Sequence, residues 1–346
     1  MLAILVLGYF WYTMGRPLYR PGMVRSGDNL RAPLDPPRQT GGAEYWLVEK
    51  DIRLYHFSSG QGKKVLVVHG GPGYPFEKPL AALKGLKYRF HYYDQRGCGR
   101  STKPFDRFAG TNYFENMKTL ERTLGLGAQV ADIERIRRIL NVEKLTLVGH
   151  SFGAFLSVLY AAEFPERVEA LVLVSPATVL RLPSEYGDFY KRIGDLLPPA
   201  MQGDFGKFLE QYMDFRNIFS RSEGELSALN LEFMKYYGPA AKAAGMPLPA
   251  FRGPMGTNGW MTFGMFFSMG KEHDYRDALR NLSIPALVIH GGKDIQDEKG
   301  SREYCDILKN SKFVVIKDAG HFGFYDRPDE FAKLLGDFLD SVDAKK

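Results

Sequence analysis

The stretch LTLVGHSFG at residues 145–153 decides the fold of this chain. Its apolar run ends at Gly149, and a helix-length segment begins two residues after Ser151. A strand that turns directly into a helix holds the residue between them in a strained conformation and exposes its side chain. Gly149 and Gly153 have no side chains, and larger residues at these positions would collide with neighbouring backbone. The pattern predicts Ser151 as a nucleophile exposed above a sheet.

Further short apolar runs recur along the chain and have the character of strands buried on both faces. They lie at 65–69, 90–94, 171–175, 286–290 and 313–317. Helix-length segments separate several of them, notably 127–140 and 153–163, and the sequence from Tyr45 to Phe57 has the alternation of an opening β-hairpin. This order predicts an α/β protein with a mostly parallel sheet flanked by helices.

The 346 residues fit one large core with an insertion better than two unrelated domains. Residues 16–43 are rich in Pro, Arg and Gly, which predicts a linker or a surface arm. We expect the core to comprise residues 44–178 and 282–346. Residues 179–281 contain no comparable apolar strand runs, and there we expect a mainly helical cap.

Residues 1–15 carry no charged side chain, and the first basic residues after them are Arg16, Arg20 and Arg25. The pattern predicts an apolar helix that anchors the chain to a membrane surface through residues 1–25, with the body on the cytoplasmic side. The segment is short for a span of about 20 residues. A cleaved signal and a helix packed on protein are the alternatives, and without an anchor we expect a cytoplasmic protein.

Composition excludes several classes of function. The net charge is +6, but residues 1–40 contribute +3 through five arginines and two aspartates, so no basic stripe indicates nucleic-acid binding. Cys98 and Cys305 are the only cysteines and stand far apart, which excludes a disulfide framework and a cysteine zinc site. We expect no cofactor and no metal, and the sequence leaves the oligomeric state open.

A nucleophilic serine needs a histidine as base and a carboxylate that orients the histidine. His321 follows the run at 313–317 and Asp294 follows the run at 286–290, so both stand where parallel strands end. Asp297 and Asp318 are the alternatives to Asp294. The order serine, aspartate, histidine is that of one large class of hydrolases.

The same chemistry needs two backbone N–H groups that stabilise the developing oxyanion. One is predicted at Phe152, directly after the nucleophile. The glycine-rich turn HGGPG at 69–73 follows an early strand, and we select Gly71 as the second donor. On its own this turn has an alternative interpretation as a simple tight turn.

Three motifs carry a resemblance to a known family. HGGPG at 69–73, DQRGCGRS at 94–101 and the serine turn are similar to those of the proline iminopeptidase family of α/β-hydrolases. The resemblance covers about 44–178 and 282–340. It implies a capped α/β-hydrolase that releases N-terminal residues, often proline, from short peptides. The family usually has GGSWG at the serine, whereas GHSFG here is a form common among esterases.

The resemblance also implies cap glutamates that hold the free amine of the substrate. FSRSEG at 219–224 is similar to the family's W-x-x-W-E-G stretch, which makes Glu223 a candidate amine anchor and Glu232 a weaker second one. The alternative for Glu223 is a solvated surface position, because its neighbours are charged. The Met- and Phe-rich stretch 251–270 is interpreted either as cap core or as an apolar acyl pocket.

These observations leave three functional hypotheses. A serine aminopeptidase acting on short peptides or small amides leads, and a carboxylesterase with an apolar pocket under the cap is the close alternative. The third is a non-catalytic member of the fold that binds a small ligand.

Overall fold

A computed structural model describes residues 15–40, 42, 44–248 and 258–345. The apolar segment on which the expected membrane anchor depends therefore lies outside the described residues, except for Gly15. Within the described ranges, no helix is both long and apolar enough to cross a bilayer.

An eight-stranded sheet in the order β1-β2-β4-β3-β5-β6-β9-β10 forms the centre of the protein. β1 and β2 form the predicted antiparallel hairpin, β2 pairs antiparallel with β4, and the pairs from β4 to β10 are parallel. The strands are β1 Tyr45–Glu49, β2 Ile52–Gly60, β3 Lys63–Val68, β4 Tyr88–Tyr93, β5 Leu145–His150, β6 Val168–Val174, β9 Ala286–Gly291 and β10 Ser311–Ile316.

Helices cover both faces of this sheet, which explains why its central strands are mostly apolar. Every residue of β5 and β6 is buried. Two separate apolar clusters lie on the two faces, one under the helices Leu126–Ile139 and Phe152–Glu163 and the other under Pro328–Asp343. The predicted α/β class and the predicted strands are confirmed.

The described helices, in chain order, fall before, within and after an insertion that leaves the core after β6 and returns to it before the helix Arg276–Leu279. Those of the core are Met23–Ser26, Tyr113–Leu124, Leu126–Ile139, Phe152–Glu163, Arg276–Leu279, Glu298–Ile307, Gly323–Asp326 and Pro328–Asp343. Those of the insertion are Phe189–Leu196, Pro199–Tyr212, Glu223–Ala243 and Trp260–Met269. At its base, β7 (Arg181–Leu182) pairs antiparallel with β8 (His273–Asp274).

The segment 15–40, which we call the arm, crosses the face of the core opposite Pro328–Asp343. Buried Glu163 holds it, because its carboxylate accepts hydrogen bonds from Tyr19 Oη at 2.8 Å and from the backbone N–H groups of Gly22 and Arg25 at 2.8 and 3.0 Å. The arm also reaches the insertion, since Tyr19 N–H donates to the carbonyl of Ser268 at 3.1 Å. The arm is therefore an ordered part of the fold.

Candidate active site

Ser151 stands between β5 and the helix Phe152–Glu163, with φ 53° and ψ −119°. Few non-glycine residues adopt such a conformation, and it marks a position held by its surroundings. A Cβ on Gly149 would lie 2.5 Å from the Cα of Ala154, and one on Gly153 would lie 2.1 Å from the carbonyl oxygen of Val68. Both glycines are thus required for this turn.

Asp294 and His321 lie at the ends of the neighbouring strands β9 and β10 and contact each other. The Nδ1 of His321 is 2.7 Å from Oδ2 of Asp294, whose side chain is fully buried. The other carboxylate oxygen accepts the backbone N–H of Gln296 at 2.9 Å. Burial alone would raise the pKa of Asp294, but the charge and hydrogen bond of His321 outweigh it and lower the pKa.

The two alternative carboxylates have other roles in the structure. Asp297 caps the helix Glu298–Ile307 by accepting the N–H of Lys299 at 2.9 Å. Asp318 is half-exposed and pairs with Lys293 at 3.1 Å and Arg327 at 3.3 Å. Asp294 is therefore the carboxylate that the structure places on His321.

Sequence reasoning missed two residues beside this pair. His150 is buried, and its Nε2 donates to the carbonyl oxygen of His321 at 2.9 Å. Burial lowers the pKa of His150 to about 3, so its ring is neutral and suited to this single donation. Gln296 lies with its amide nitrogen 3.1 Å from Nδ1 of His321. His150 belongs to the serine motif, but its partner lies 171 residues further along the chain, so no short sequence pattern indicated this contact.

The glycine-rich turn at 69–73 packs directly against the serine. A Cβ on Gly70 would lie 2.8 Å from the Cβ of Ser151, and Gly71 has φ +120°, where glycine is favoured. His69 braces the turn, since its Nδ1 donates to the carbonyl of Gly70 at 2.9 Å and its Nε2 accepts the N–H of Gln95 at 3.0 Å. Burial keeps this ring neutral by lowering its pKa to about 4.

Asn258 joins the same turn to the insertion, and nothing in the sequence pattern indicated it. Its amide nitrogen donates to the carbonyl of Pro72 at 2.8 Å and to Thr262 Oγ1 at 2.7 Å. A Cβ on Gly73 would lie 2.3 Å from its Cγ. The residue is fully buried, so the insertion fixes the position of the turn that carries Gly71.

A cavity of about 1980 Å³ lies between the carboxyl ends of the strands and the insertion. Gly71, Ser151, Phe152 and His321 line its floor. Most of its wall is aromatic or apolar. The wall includes Phe189, Tyr190, Tyr212, Phe215, Phe233, Met234, Tyr237, Phe266, Phe267 and Met269.

The stretch 251–270 was expected either as cap core or as pocket wall, and the helix Trp260–Met269 serves both purposes. Trp260 and Phe263 are buried in the apolar cluster of the insertion, whereas Phe266, Phe267 and Met269 line the cavity. Residues 251–257 lie outside the described residues.

The predicted amine anchors do not reach the cavity. Neither Glu223 nor Glu232 is among the residues that line it. The carboxylate of Glu223 accepts the N–H groups of Gly259 and Trp260 at 2.9 and 2.8 Å and so caps the helix that begins there. Burial raises the pKa of Glu223 although these amides oppose the shift. The solvated-surface interpretation of Glu223 also fails, because the side chain is largely buried.

Five other carboxylates among the described residues line the cavity, namely Glu77, Asp94, Asp188, Glu210 and Asp214. Glu77, Asp188 and Glu210 are exposed, and Asp214 caps the 3₁₀ turn that follows it. Asp94 is buried and accepts the N–H of Arg100 at 2.7 Å, and burial raises its pKa to about 6. Across the described ranges, no three His, Cys, Asp or Glu side chains form a site for a metal ion.

The alpha/beta hydrolase fold family matches residues 63–328, and the chain belongs to this family. Together with the serine turn, this family places the protein in the class of the serine hydrolases. The chain is 25% identical over 314 residues to a proline iminopeptidase of Saccharolobus solfataricus, covering 84% of this chain and 88% of the relative. It is 27% identical over 297 residues to a proline iminopeptidase of Heyndrickxia coagulans, covering 82% and 93%.

A solved structure of a proline iminopeptidase from Mycobacterium smegmatis has the same fold. It superposes with a TM-score of 0.57 at 16% identity, covering 86% of this chain and 97% of that one. The two sequence relatives confirm the resemblance drawn from the motifs, and this structure shows the same fold.

Proposed function

We propose that this protein is a cofactor-independent serine hydrolase that cleaves small amide or ester substrates through an acyl-enzyme. The observation that carries the proposal is the 2.7 Å contact between Asp294 and His321 at the floor of a cavity that also contains Ser151. In this proposal, Ser151 Oγ attacks the substrate carbonyl while His321 accepts its proton. Asp294 orients the imidazole and stabilises its charged form.

The oxyanion would receive the backbone N–H groups of Phe152 and Gly71, which lie on the two segments that meet at Ser151. The leaving group takes the proton back from His321, and water then hydrolyses the acyl-enzyme by the same steps. The nucleophile, the base and both proposed oxyanion donors belong to residues that line the cavity floor.

Within this chemistry we propose release of an N-terminal residue from short peptides as the leading activity. Relatives of 25–27% identity over more than four fifths of the chain are proline iminopeptidases, which supports this choice. Asp94 is the buried carboxylate of the cavity wall, so it replaces Glu223 as the candidate partner of a substrate amine.

A carboxylesterase is the second candidate, and a specific observation favours it. The wall is predominantly aromatic and apolar, and the carboxylate of Glu223 is engaged outside the cavity. Such a wall suits an uncharged acyl group.

One set of substrates separates the two candidates. We would compare turnover of proline p-nitroanilide, its N-acetyl derivative and p-nitrophenyl butyrate. An aminopeptidase prefers the free amine strongly over its acetylated form, whereas an esterase cleaves only the butyrate. Ser151→Ala should lower turnover of every cleaved substrate by about 10⁴-fold and abolish labelling by a fluorophosphonate. If the fluorophosphonate labels this variant as strongly as it labels the wild type, the serine mechanism is contradicted.

A further inference from the structure

One face of the helix Glu223–Ala243 forms part of the cavity wall. Asn230, Phe233, Met234 and Tyr237 line the cavity, and their spacing places them on the same side of the helix. At a rise of about 1.5 Å per residue, the Cα atoms of Asn230 and Tyr237 lie about 10 Å apart along the helix axis. The face therefore presents two polar side chains to the cavity, one near each of its ends.

The Asn230 end of this face lies beside the glycine-rich turn. Tyr74 Oη donates to the carbonyl of Asn230 at 3.4 Å, and Tyr212 Oη donates to Oδ1 of Asn230 at 2.8 Å. The Tyr74 ring packs on Gly71, because a Cβ on Gly71 would lie 2.8 Å from Tyr74 Cδ2. The polar groups at this end are thus bonded within the protein, next to the proposed oxyanion donor.

The other end of the helix packs on the loop of the proposed base. Met246 N–H donates to the carbonyl of Ala241 at 2.9 Å, which holds Met246 against the end of the helix. A Cβ on Gly320, the residue before His321, would lie 2.5 Å from Met246 Cγ. Tyr237, within the last two turns of the helix, therefore stands on the side of the histidine loop.

The hydroxyl of Tyr237 is a donor that the described part of the chain leaves unused. The residue is 7% exposed, and its Oη makes no hydrogen bond to any described group. Burial raises the pKa of Tyr237 well above its usual value, and the neighbouring Asp294 and Tyr74 raise it further. The hydroxyl is therefore neutral and lies in the field of the proposed catalytic pair. A buried donor without a partner is costly, which favours a ligand atom at this position.

The surroundings of this hydroxyl indicate the chemistry of that ligand atom. A tyrosine O–H donates one hydrogen bond, so its partner is an acceptor. The neighbouring wall residues Phe233 and Met234 are apolar, and a neutral hydroxyl does not compensate a full charge in such surroundings. A neutral ether or carbonyl oxygen within an otherwise apolar chain meets both conditions.

We propose that Tyr237 determines specificity by donating a hydrogen bond to a neutral oxygen of the substrate other than the carbonyl that Ser151 attacks. The preferred substrates are then amides or esters that carry an ether or carbonyl oxygen near the scissile bond, rather than purely apolar ones. This inference deepens the proposed function and rests on it.

Three esters of equal size test the inference. Butyl butyrate has no additional oxygen, butyl methoxyacetate has an ether oxygen on the acyl side, and 2-methoxyethyl butyrate has one on the alcohol side. Turnover of each is followed by titration of the released acid at constant pH. Tyr237→Phe should lower kcat/KM for at least one ether ester by about three- to ten-fold relative to butyl butyrate, as expected for one neutral hydrogen bond. Ratios equal to those of the wild type would overturn the proposal.

Tyr236→Phe is the matched control. It removes a hydroxyl from the adjacent residue, which is 8% exposed and does not line the cavity. We expect the wild-type ratios among the three esters in this variant. The same selective loss in both variants, or an equal loss for all three esters in Tyr237→Phe, would show that the hydroxyl supports the fold and does not contact the substrate.

Binding is measured apart from turnover in a Ser151→Ala background by isothermal titration calorimetry with the same esters. Adding Tyr237→Phe should weaken binding of an ether ester by about three- to ten-fold relative to butyl butyrate. If the wild type cleaves none of the esters, the esterase part of the proposed function fails, and these affinities still decide the role of Tyr237. Relative affinities unchanged by Tyr237→Phe would refute that role.

Discussion

Replacing Asp294 by asparagine tests the proposed catalytic pair at the atom on which it depends. One carboxylate oxygen accepts His321 Nδ1–H at 2.7 Å, and the other accepts the backbone N–H of Gln296 at 2.9 Å. An asparagine has one oxygen for these two donors. Because the backbone donor is fixed, the oxygen should turn to Gln296 and the amide NH₂ should face the ring.

This arrangement reverses the tautomer of His321. The ring must then present a lone pair at Nδ1 and carry its proton on Nε2, where it can no longer accept the proton of Ser151. To act as the base, the ring must regain its proton on Nδ1, where it loses the charge-assisted hydrogen bond to the carboxylate, at a cost of about 1.5–3 kcal/mol. Nδ1–H then also faces the amide NH₂ as a buried donor without an acceptor, which costs about 1–3 kcal/mol more. At about 1.4 kcal/mol per factor of ten, kcat should fall by about 10²–10⁴.

The assay is single-turnover acylation by p-nitrophenyl butyrate together with thermal unfolding of each variant. Asp297→Asn and Asp318→Asn are the matched controls, since these residues cap a helix and pair with Lys293 respectively. We expect both controls to stay within about two-fold of the wild type. An Asp294→Asn enzyme that keeps a tenth of the activity, or a larger loss in either control, would refute the assignment.

Three further variants address the surroundings of the site. Glu223→Gln should lower the free energy of unfolding by about 1–2 kcal/mol, because the residue caps the helix beginning at Trp260. If the variant loses more kcat/KM for free-amine substrates than for esters, or the reverse, this structural role is contradicted. Asn258→Ala should lower kcat by about five-fold with KM unchanged, since about 1 kcal/mol of hydrogen bonding holds the turn of Gly71; an effect on KM alone would exclude a positioning role. Burial raises the pKa of Glu121 to about 7 from 4.5, so its contribution to stability is full below about pH 4.5 and is lost as pH rises through 7. Glu121→Gln should therefore gain up to about 3 kcal/mol relative to the wild type between pH 5 and pH 8, and equal pH profiles of Tm would count against it.

The strands, the serine turn and the chain order of the proposed catalytic residues were predictable because each depends on a short pattern. Apolar runs determine β5, β9 and β10, and strand ends place Asp294 and His321 at the same edge of the sheet. The glycines at the serine turn are required by contacts within a few residues or with the adjacent strand.

The role of Glu223 was not predictable in the same way. Its charged neighbours and the resemblance to a family motif indicated either solvent or a substrate amine. The structure instead brings the start of another helix, 36 residues further along, onto its carboxylate. A helix N-terminus attracts a carboxylate for general electrostatic reasons, but only the packing of the insertion brings the two together.

The contacts that sequence patterns missed are those that join separate parts of the site. His150 ties the serine turn to the histidine loop, and Asn258 ties the insertion to the turn of Gly71. Each is a single hydrogen bond between segments more than 150 residues apart. Because the insertion holds both the cavity wall and one of these bonds, a movement of the insertion would alter substrate access and the position of Gly71 together.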